Sequence, residues 1–229
     1  MEDPLAYLLR KPIQEFGKGR VIYHPQQPSD RMYMVVLGRV KVTSTADDGY
    51  ETIGRIVCAE GLFGEGVLVG GRASESAMAL DRTLVMAWTR DEIEQQVDRE
   101  PRLGIALAQY LVRQCLALQD RIESMAVLKT PERVMVGLAQ LAGMLGAPLP
   151  DGAARIAMLT HQTIAEYVGT SREIVTFQMN RLRRLGMIRY TRRYIDVSTG
   201  AVKDALRQQE ITVPQGAGAA LEKASHAVS

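Results

Sequence analysis

The sequence predicts an α+β protein: an N-terminal domain of short strands, one long helix, and a C-terminal winged helix-turn-helix. Three observations carry that expectation. Residues 19 to 88 break short apolar runs with frequent turn-forming residues. A long helical stretch follows, with apolar residues four and three apart. Nearer the C-terminus, two short helical patterns flank a single glycine and lead into an arginine-rich hairpin.

Composition narrows the classes. The chain has 229 residues, 46% hydrophobic and 24% charged, an ordinary globular mix with room for two modest domains. Its net charge is only +2, so any positive surface for a polyanion must be concentrated locally. No apolar run approaches the roughly 18 residues of a membrane span. The start, Met1-Glu2-Asp3-Pro4, is acidic and lacks a secretory leader's apolar core. A cytoplasmic protein without a membrane partner is expected. Cys58 and Cys115 lie far apart in apolar stretches and are read as a buried, reduced pair. His24, His161 and His226 are scattered, which speaks against a metal site or histidine-based catalysis.

In chain order, Val40-Lys41-Val42 alternates, and Met32 to Leu37 is a short apolar run. Pro25, Pro28, Gly38, Gly49, Gly54, Gly61, Gly64, Gly66, Gly70 and Gly71 punctuate the segment, as in a barrel or roll. Thr89 and Glu92 form a capping-box pair, so a short helix is expected to about Val97. Pro101 suits the first turn of a longer helix reaching about Leu128. On that helix Gly104, Ala108, Leu111, Cys115, Leu118, Ile122 and Met125 form one a/d seam, read as a dimer interface. An ordinary helix buried in its own domain is the rival reading. A second stripe, Leu103, Leu107 and Tyr110, is placed to pack on the strands.

Thr130 is read as the cap of the next helix, with Pro131 at its first position and Val134, Leu138, Leu141 and Leu145 on its buried face. Gly146 to Gly152 reads as a loop, and short helices with a basic hairpin follow from about Ala153. The expected domains are 1–128, containing the strands and the long helix, and 129–212, with an Ala- and Gly-rich disordered tail from 213 to 229.

The most informative stretch runs from Leu159 to Leu182. Thr160 caps a short helix with Ile164, Ala165 and Val168 on its apolar face. Gly169 breaks it at a turn suited to positive φ. Ser171 caps a second helix with Val175, Met179 and Leu182 facing inward. In a helix-turn-helix, the first residues of the second helix reach base edges in the major groove. Here those are Arg172, Glu173 and Thr176; arginine donates two bonds to guanine and glutamate accepts from cytosine. Between Arg172 and Arg193 there are seven arginines (172, 181, 183, 184, 189, 192, 193) and one acid, Glu173. Met187 to Tyr190 and Tyr194 to Val197 read as strands joined by the basic wing tip Thr191-Arg192-Arg193. Candidate DNA-binding residues are Thr160, Ser171, Arg172, Glu173, Thr176, Phe177, Gln178, Arg181, Arg192 and Arg193. A solvated helical bundle with a charged face is the bland alternative, but cap, turn, apolar spacing and charge all agree on one motif.

From about Phe16 to Asp196 the chain resembles the cyclic-AMP receptor protein (CRP/FNR) family of transcription regulators. The resemblance rests on Tyr33-Met-Val-Val-Leu-Gly-Arg-Val-Lys-Val, on Phe63-Gly-Glu, and above all on Thr163-Ile-Ala-Glu-Tyr-Val-Gly-Thr-Ser-Arg-Glu-Ile-Val. It implies a β-roll (a double-stranded β-helix, cyclic-nucleotide-binding-like), a dimerisation helix and a winged helix-turn-helix. It also implies a homodimer reading a palindromic promoter site, expected to be an activator that contacts RNA polymerase.

Two departures stand out. Where the family commonly has a third base-reading arginine, this chain has Phe177, which cannot donate to guanine but can touch a thymine methyl. In family members that bind cyclic AMP, an Arg-Ser pair holds the phosphate and a glutamate the ribose. Gly64, Glu65 and Ser76 match, but the arginine position is Glu75. A carboxylate there repels an anion. Arg72, three residues earlier, is the available substitute. The adenine-contacting Thr-Ser pair aligns with Leu118 and Gln119. DNA binding without cyclic AMP is therefore expected, and a cyclic-AMP-dependent regulator is the alternative. An iron–sulfur sensor lacks its cysteines. A cupin-like enzyme needs converging histidines, and the strand segment has only His24. A nucleotide-responsive subunit acting on a protein would not need the arginine-rich helix-turn-helix.

Overall fold

The computed structural model describes residues 2–26, 30–45, 51–70 and 75–208. The chain divides into two compact units between Arg113 and Gln114.

The first unit holds eight strands: β1 (Gln14–Phe16), β2 (Val21–Tyr23), β3 (Arg31–Leu37), β4 (Val40–Thr45), β5 (Glu51–Val57), β6 (Leu62–Phe63), β7 (Glu75–Ala79) and β8 (Thr83–Thr89). They form two antiparallel four-stranded sheets, ordered β1-β8-β3-β6 and β2-β7-β4-β5. Consecutive strands often change sheet, which is what rolls the chain. Inward residues of both sheets, including Tyr33, Val35, Phe63 and Val85 on one and Tyr23, Val40, Val42 and Ala77 on the other, share one core. The alternation at Val40-Lys41-Val42 does not expose Lys41: that side chain is 9% exposed, with its ammonium 3.4 Å from Glu51.

Helix α1 (Arg90–Arg99) starts as expected. Thr89 Oγ1 accepts from the Glu92 N–H at 3.3 Å and Glu92 accepts from the Thr89 N–H at 3.0 Å, a closed capping box. Helix α2 (Arg102–Val127) follows. Its stripe of Leu103, Leu107 and Tyr110 packs with Leu8, Met32, Leu62, Trp88 and Ile93 in a second core cluster. Trp88 is 1% exposed and donates its indole N–H to the Leu9 carbonyl at 2.8 Å. Truncating such a side chain costs about 3–5 kcal/mol. The Tyr110 hydroxyl accepts from the Leu62 N–H and donates to the Leu62 carbonyl, both at 2.9 Å, which pins α2 to β6.

The second unit contains the rest of α2, then α3 (Thr130–Leu145), β9 (Ala147–Pro148), β10 (Ala153–Ala157), α4 (His161–Val168), α5 (Arg172–Arg184), β11 (Ile188–Tyr190), β12 (Tyr194–Ser198) and α6 (Thr199–Gln208). The strands pair in the order β11-β12-β10-β9. Val134, Leu138 and Leu141 are fully buried, as expected, while Leu145 is only half-buried.

Several expectations are corrected here. The cap of α3 is Lys129, not Thr130: Glu132 accepts from the Lys129 N–H at 2.8 Å, and the Thr130 hydroxyl accepts from Arg133 instead. Strand β10 was hidden because Ala153-Ala154-Arg155-Ile156-Ala157 has weak strand propensity. Pairing with β12 along its full length overrides that preference. Helix α6 was not anticipated either, although Val202 and Leu206 are both 1% exposed. Cys115 is exposed and Cys58 half-buried, so the two do not form a buried pair. The expected tail from 213 to 229 lies outside the described residues. Among the described residues, no helix is long and apolar enough to cross a membrane.

Candidate nucleic-acid interface and roll pocket

The helix-turn-helix is built by local rules. Thr160 Oγ1 accepts from the Thr163 N–H at 3.0 Å and starts α4. Gly169 ends it at φ 73°, ψ 54°, a left-handed conformation that a side chain would strain. Ser171 Oγ accepts from the Ile174 N–H at 3.4 Å and starts α5. Val175 and Met179 are fully buried and Leu182 is 3% exposed. His161 Nδ1 lies 2.8 Å from Thr176 Oγ1, tying the start of α4 to α5. Burial, and then the charge of Arg172, hold the His161 imidazole below its ordinary value of 6.5.

The outward face of α5 is now defined. Arg172, Glu173, Phe177, Arg181 and Arg184 are exposed, with Phe177 at 60%. Thr176 is half-buried and its hydroxyl donates to the Arg172 carbonyl at 2.9 Å. Gln178 is a correction. It is 6% exposed because its position falls on the same side as Val175, Met179 and Leu182, away from the outward stripe of α5. Two residues outside the sequence-based set share the outward stripe of Glu173 and Phe177: Asn180, whose side-chain oxygen accepts from the Tyr190 hydroxyl at 3.1 Å, and Arg184. Their 173, 177, 180, 184 spacing was available in the sequence.

The arginines do not all serve alike. Arg189 meets Asp151 at 2.5 Å and lies 3.7 Å from Asp196. Asp196, 3% exposed, also takes both ends of a two-pronged bond from Arg155 at 2.7 and 2.9 Å. Arg183 sits 5.2 Å over the Tyr190 ring. Among the described residues, Arg172, Arg181, Arg184, Arg192 and Arg193 are exposed and make no ion pair.

The roll presents a different chemistry. Gly64, at φ 79°, leads into a 3-10 turn (Glu65–Val69). A Cβ at Gly64 would stand 2.8 Å from the Arg31 carbonyl. Glu65 faces Arg55 with both oxygens, one contact at 2.9 Å. Burial opposes the Arg55 charge, but the bond and charge of Glu65 more than offset it and hold the guanidinium above its ordinary range. Glu75 accepts from the Tyr23 hydroxyl at 2.7 Å. Burial first, then Glu75, push that phenol far above its usual value. Tyr23 stacks on Tyr33 and Phe63 at 5.9 and 6.2 Å. Ser76 stands opposite Thr43 in the β4–β7 pairing. Arg72 lies outside the described residues. Leu118 and Gln119 lie on α2 beyond the division between the units, both exposed.

On α2, Leu111, Leu118, Ile122 and Met125 are 37%, 48%, 67% and 37% exposed, beside Cys115. Val112 and Leu116 widen the same apolar surface at 58% and 55%.

A two-sheet roll followed by a winged helix-turn-helix with an exposed basic second helix defines a DNA-binding regulator with an N-terminal roll domain. Residues 13–100 match the family model of the cyclic nucleotide-binding domain, and residues 106–199 that of the Crp-like helix-turn-helix domain. The Global nitrogen regulator of Synechocystis sp. is 29% identical over 207 residues, 86% of this chain and 92% of that protein. Transcriptional regulator SdrP of Thermus thermophilus is 30% identical over 176 residues, 76% of this chain and 83% of that protein. The solved structure of a CRP/FNR-family transcriptional regulator from Thermus thermophilus superimposes with a TM-score of 0.70 at 27% identity, covering 84% of this chain and 97% of that one. The chain belongs to the CRP/FNR family of transcription regulators. It is a DNA-binding regulator and not an enzyme.

Proposed function

We propose that the protein is a homodimer that reads a palindromic promoter site, acts as an activator touching RNA polymerase, and binds DNA without cyclic AMP. The observation that carries the DNA reading is the outward face of α5. It presents Arg172, Glu173, Phe177, Arg181 and Arg184, with Arg192 and Arg193 on the wing tip for the phosphates. Thr160 and Ser171 open the two helices at positions suited to backbone contact. Thr176 contributes its methyl face, since its hydroxyl is engaged. The seam of Leu111, Cys115, Leu118, Ile122 and Met125 supports the dimer, because an apolar stripe of this length in one chain asks for a partner, and a second copy supplies the same stripe. In this reading 1–128 is the sensor and dimerisation part, 129–212 is the DNA-binding part, and the protein works in the cytoplasm.

Nucleotide independence rests on the roll. A cyclic phosphate needs a cation or several donors. The position that would supply the cation is Glu75, and its partner is a phenol. Glu65, which would accept from a ribose, already has both oxygens on Arg55. In this reading, these internal contacts compete with a cyclic nucleotide for the same groups. The second reading, a cyclic-AMP-dependent regulator, is favoured by Glu65 and Ser76 standing at matching positions, with Arg72 as the cation. Selection of bound duplexes from a random-sequence library, without nucleotide, tests the proposal. Two inverted half-sites are expected. An unstructured pool, or enrichment only after cyclic AMP is added, would overturn it.

A further inference from the structure

Two arginines converge on the turn of the helix-turn-helix from outside it. Arg121, on the last turns of α2, donates to the Tyr167 carbonyl at 2.6 Å, and its guanidinium stands 4.9 Å over the Tyr167 ring. Arg133, on the first turn of α3, reaches the Leu128 carbonyl at 3.1 Å with one nitrogen. With the other it reaches Thr130 Oγ1 and the Gly169 carbonyl, both at 3.4 Å. Tyr167 and Gly169 carry carbonyls at the C-terminal end of α4, where helix geometry leaves acceptors unmatched and the dipole is negative. Both cations therefore sit where α4 attracts them. Met125, on the seam stripe, reaches the same turn: a Cβ on Gly169 would stand 3.2 Å from its terminal methyl.

The arrangement is not the cheapest way to close a helix end. Arg133 Nε is buried with no hydrogen-bond partner. Burial lowers the Arg121 pKa, so its charge is held there at a cost. Such costs call for a reason other than stability. The turn they grip carries α5, and the helix they grip from carries Cys115, Leu118, Ile122 and Met125.

We infer that Arg121 and Arg133 are positioning residues: they clamp the helix-turn-helix turn to the end of the seam helix and so set the separation and rotation at which a dimer presents its two α5 helices. They select half-site spacing, not base sequence. This role rests on the proposed dimer on a two-half-site duplex. Each base pair inserted between half-sites rotates one relative to the other by about 35° and moves it by about 3.4 Å. A rigid dimer resists that displacement and a loose one tolerates it.

The test uses the full chain and fluorescence anisotropy on the palindrome selected by the wild type, on the same palindrome with two central base pairs added or removed, and on a single half-site. For the wild type, the spacing change is expected to weaken binding by at least about tenfold. For R121A/R133A, parent-site affinity is expected to fall by about tenfold, the further penalty for altered spacing to shrink below about threefold, and half-site affinity to stay within about twofold of wild type. R121K keeps the charge but loses the flat stack on Tyr167, so it should fall between, and it serves if the double variant fails to fold. A variant with the full wild-type spacing penalty would overturn the clamp. Half-site binding lost in proportion to full-site binding would overturn it too, as a merely structural effect. A wild type indifferent to spacing would instead refute the two-half-site dimer, and the clamp with it.

Discussion

Arg189 and Arg192 are three residues apart, and a count of charge treats them as equals. Arg189 is held by Asp151 and lies near Asp196, while Arg192 at the wing tip is exposed without an ion pair. Replacing Arg192 with alanine should therefore weaken all duplexes alike and lower the salt slope by about one. The same change at Arg189 should leave the slope within error, which titration of binding against salt would show. Arg172→Ala should cost about 1–3 kcal/mol per half-site and flatten preference at one base pair of the selected motif. An unchanged motif would contradict the placement of α5. His161 adds a pH signature. Its folded value lies below the ordinary 6.5, so protonation opposes folding. Its stability contribution is complete above the ordinary 6.5 and is lost as pH falls through the lower folded value. Thermal melts from about pH 7.5 to about pH 5 should fall less steeply for His161→Gln than for wild type. At this scale, the caps Thr89, Thr160 and Ser171 and the turn glycine Gly169 were legible from spacing, while the cap of α3 was not. Gln178 was misplaced because the inward arc of α5 is wider than the Val175, Met179, Leu182 stripe alone. The neutralising carboxylates Asp151 and Asp196 were missed because they come from other strands and loops.

At the scale of elements, α2 was the most legible feature. Its two apolar stripes separate cleanly: Leu103 and Leu107 are buried under the roll, and Leu118 and Ile122 remain exposed. Elements stabilised chiefly by partners, such as β10, left little local signal, because sheet pairing lies outside any single stretch of sequence. The exposed stripe yields a test of assembly. Leu118→Asp would place a charge in the seam of each copy, and burying an unpaired carboxylate costs several kcal/mol. Light scattering should report a dimer for the wild type at micromolar concentration and a monomer for the variant. The variant should keep its far-ultraviolet helix signal, since Leu118 is 48% exposed in the single chain. A monomeric wild type would contradict the seam.

For the whole molecule, the question is what the roll contributes. The resemblance supplied the pocket positions. What it could not supply is how this chain's own groups satisfy one another: Arg55 on Glu65, and Tyr23 on Glu75. Arg55 and Tyr23 lie on different elements from the carboxylates they meet, so no motif marked them. With both carboxylates engaged internally, an incoming phosphate would have to displace a hydrogen bond and stand beside the Glu75 carboxylate. Each effect is worth about 1–3 kcal/mol, and together they would weaken binding by a factor of roughly thirty to ten thousand. The measurement that tests this most directly pairs two titrations on the purified protein: the selected palindrome without nucleotide, and cyclic AMP by calorimetry. The expected result is specific, salt-sensitive DNA binding in the nucleotide-free protein and no low-micromolar heat of cyclic-AMP binding. Low-micromolar affinity for cyclic AMP, with specific DNA binding appearing only in its presence, would contradict it.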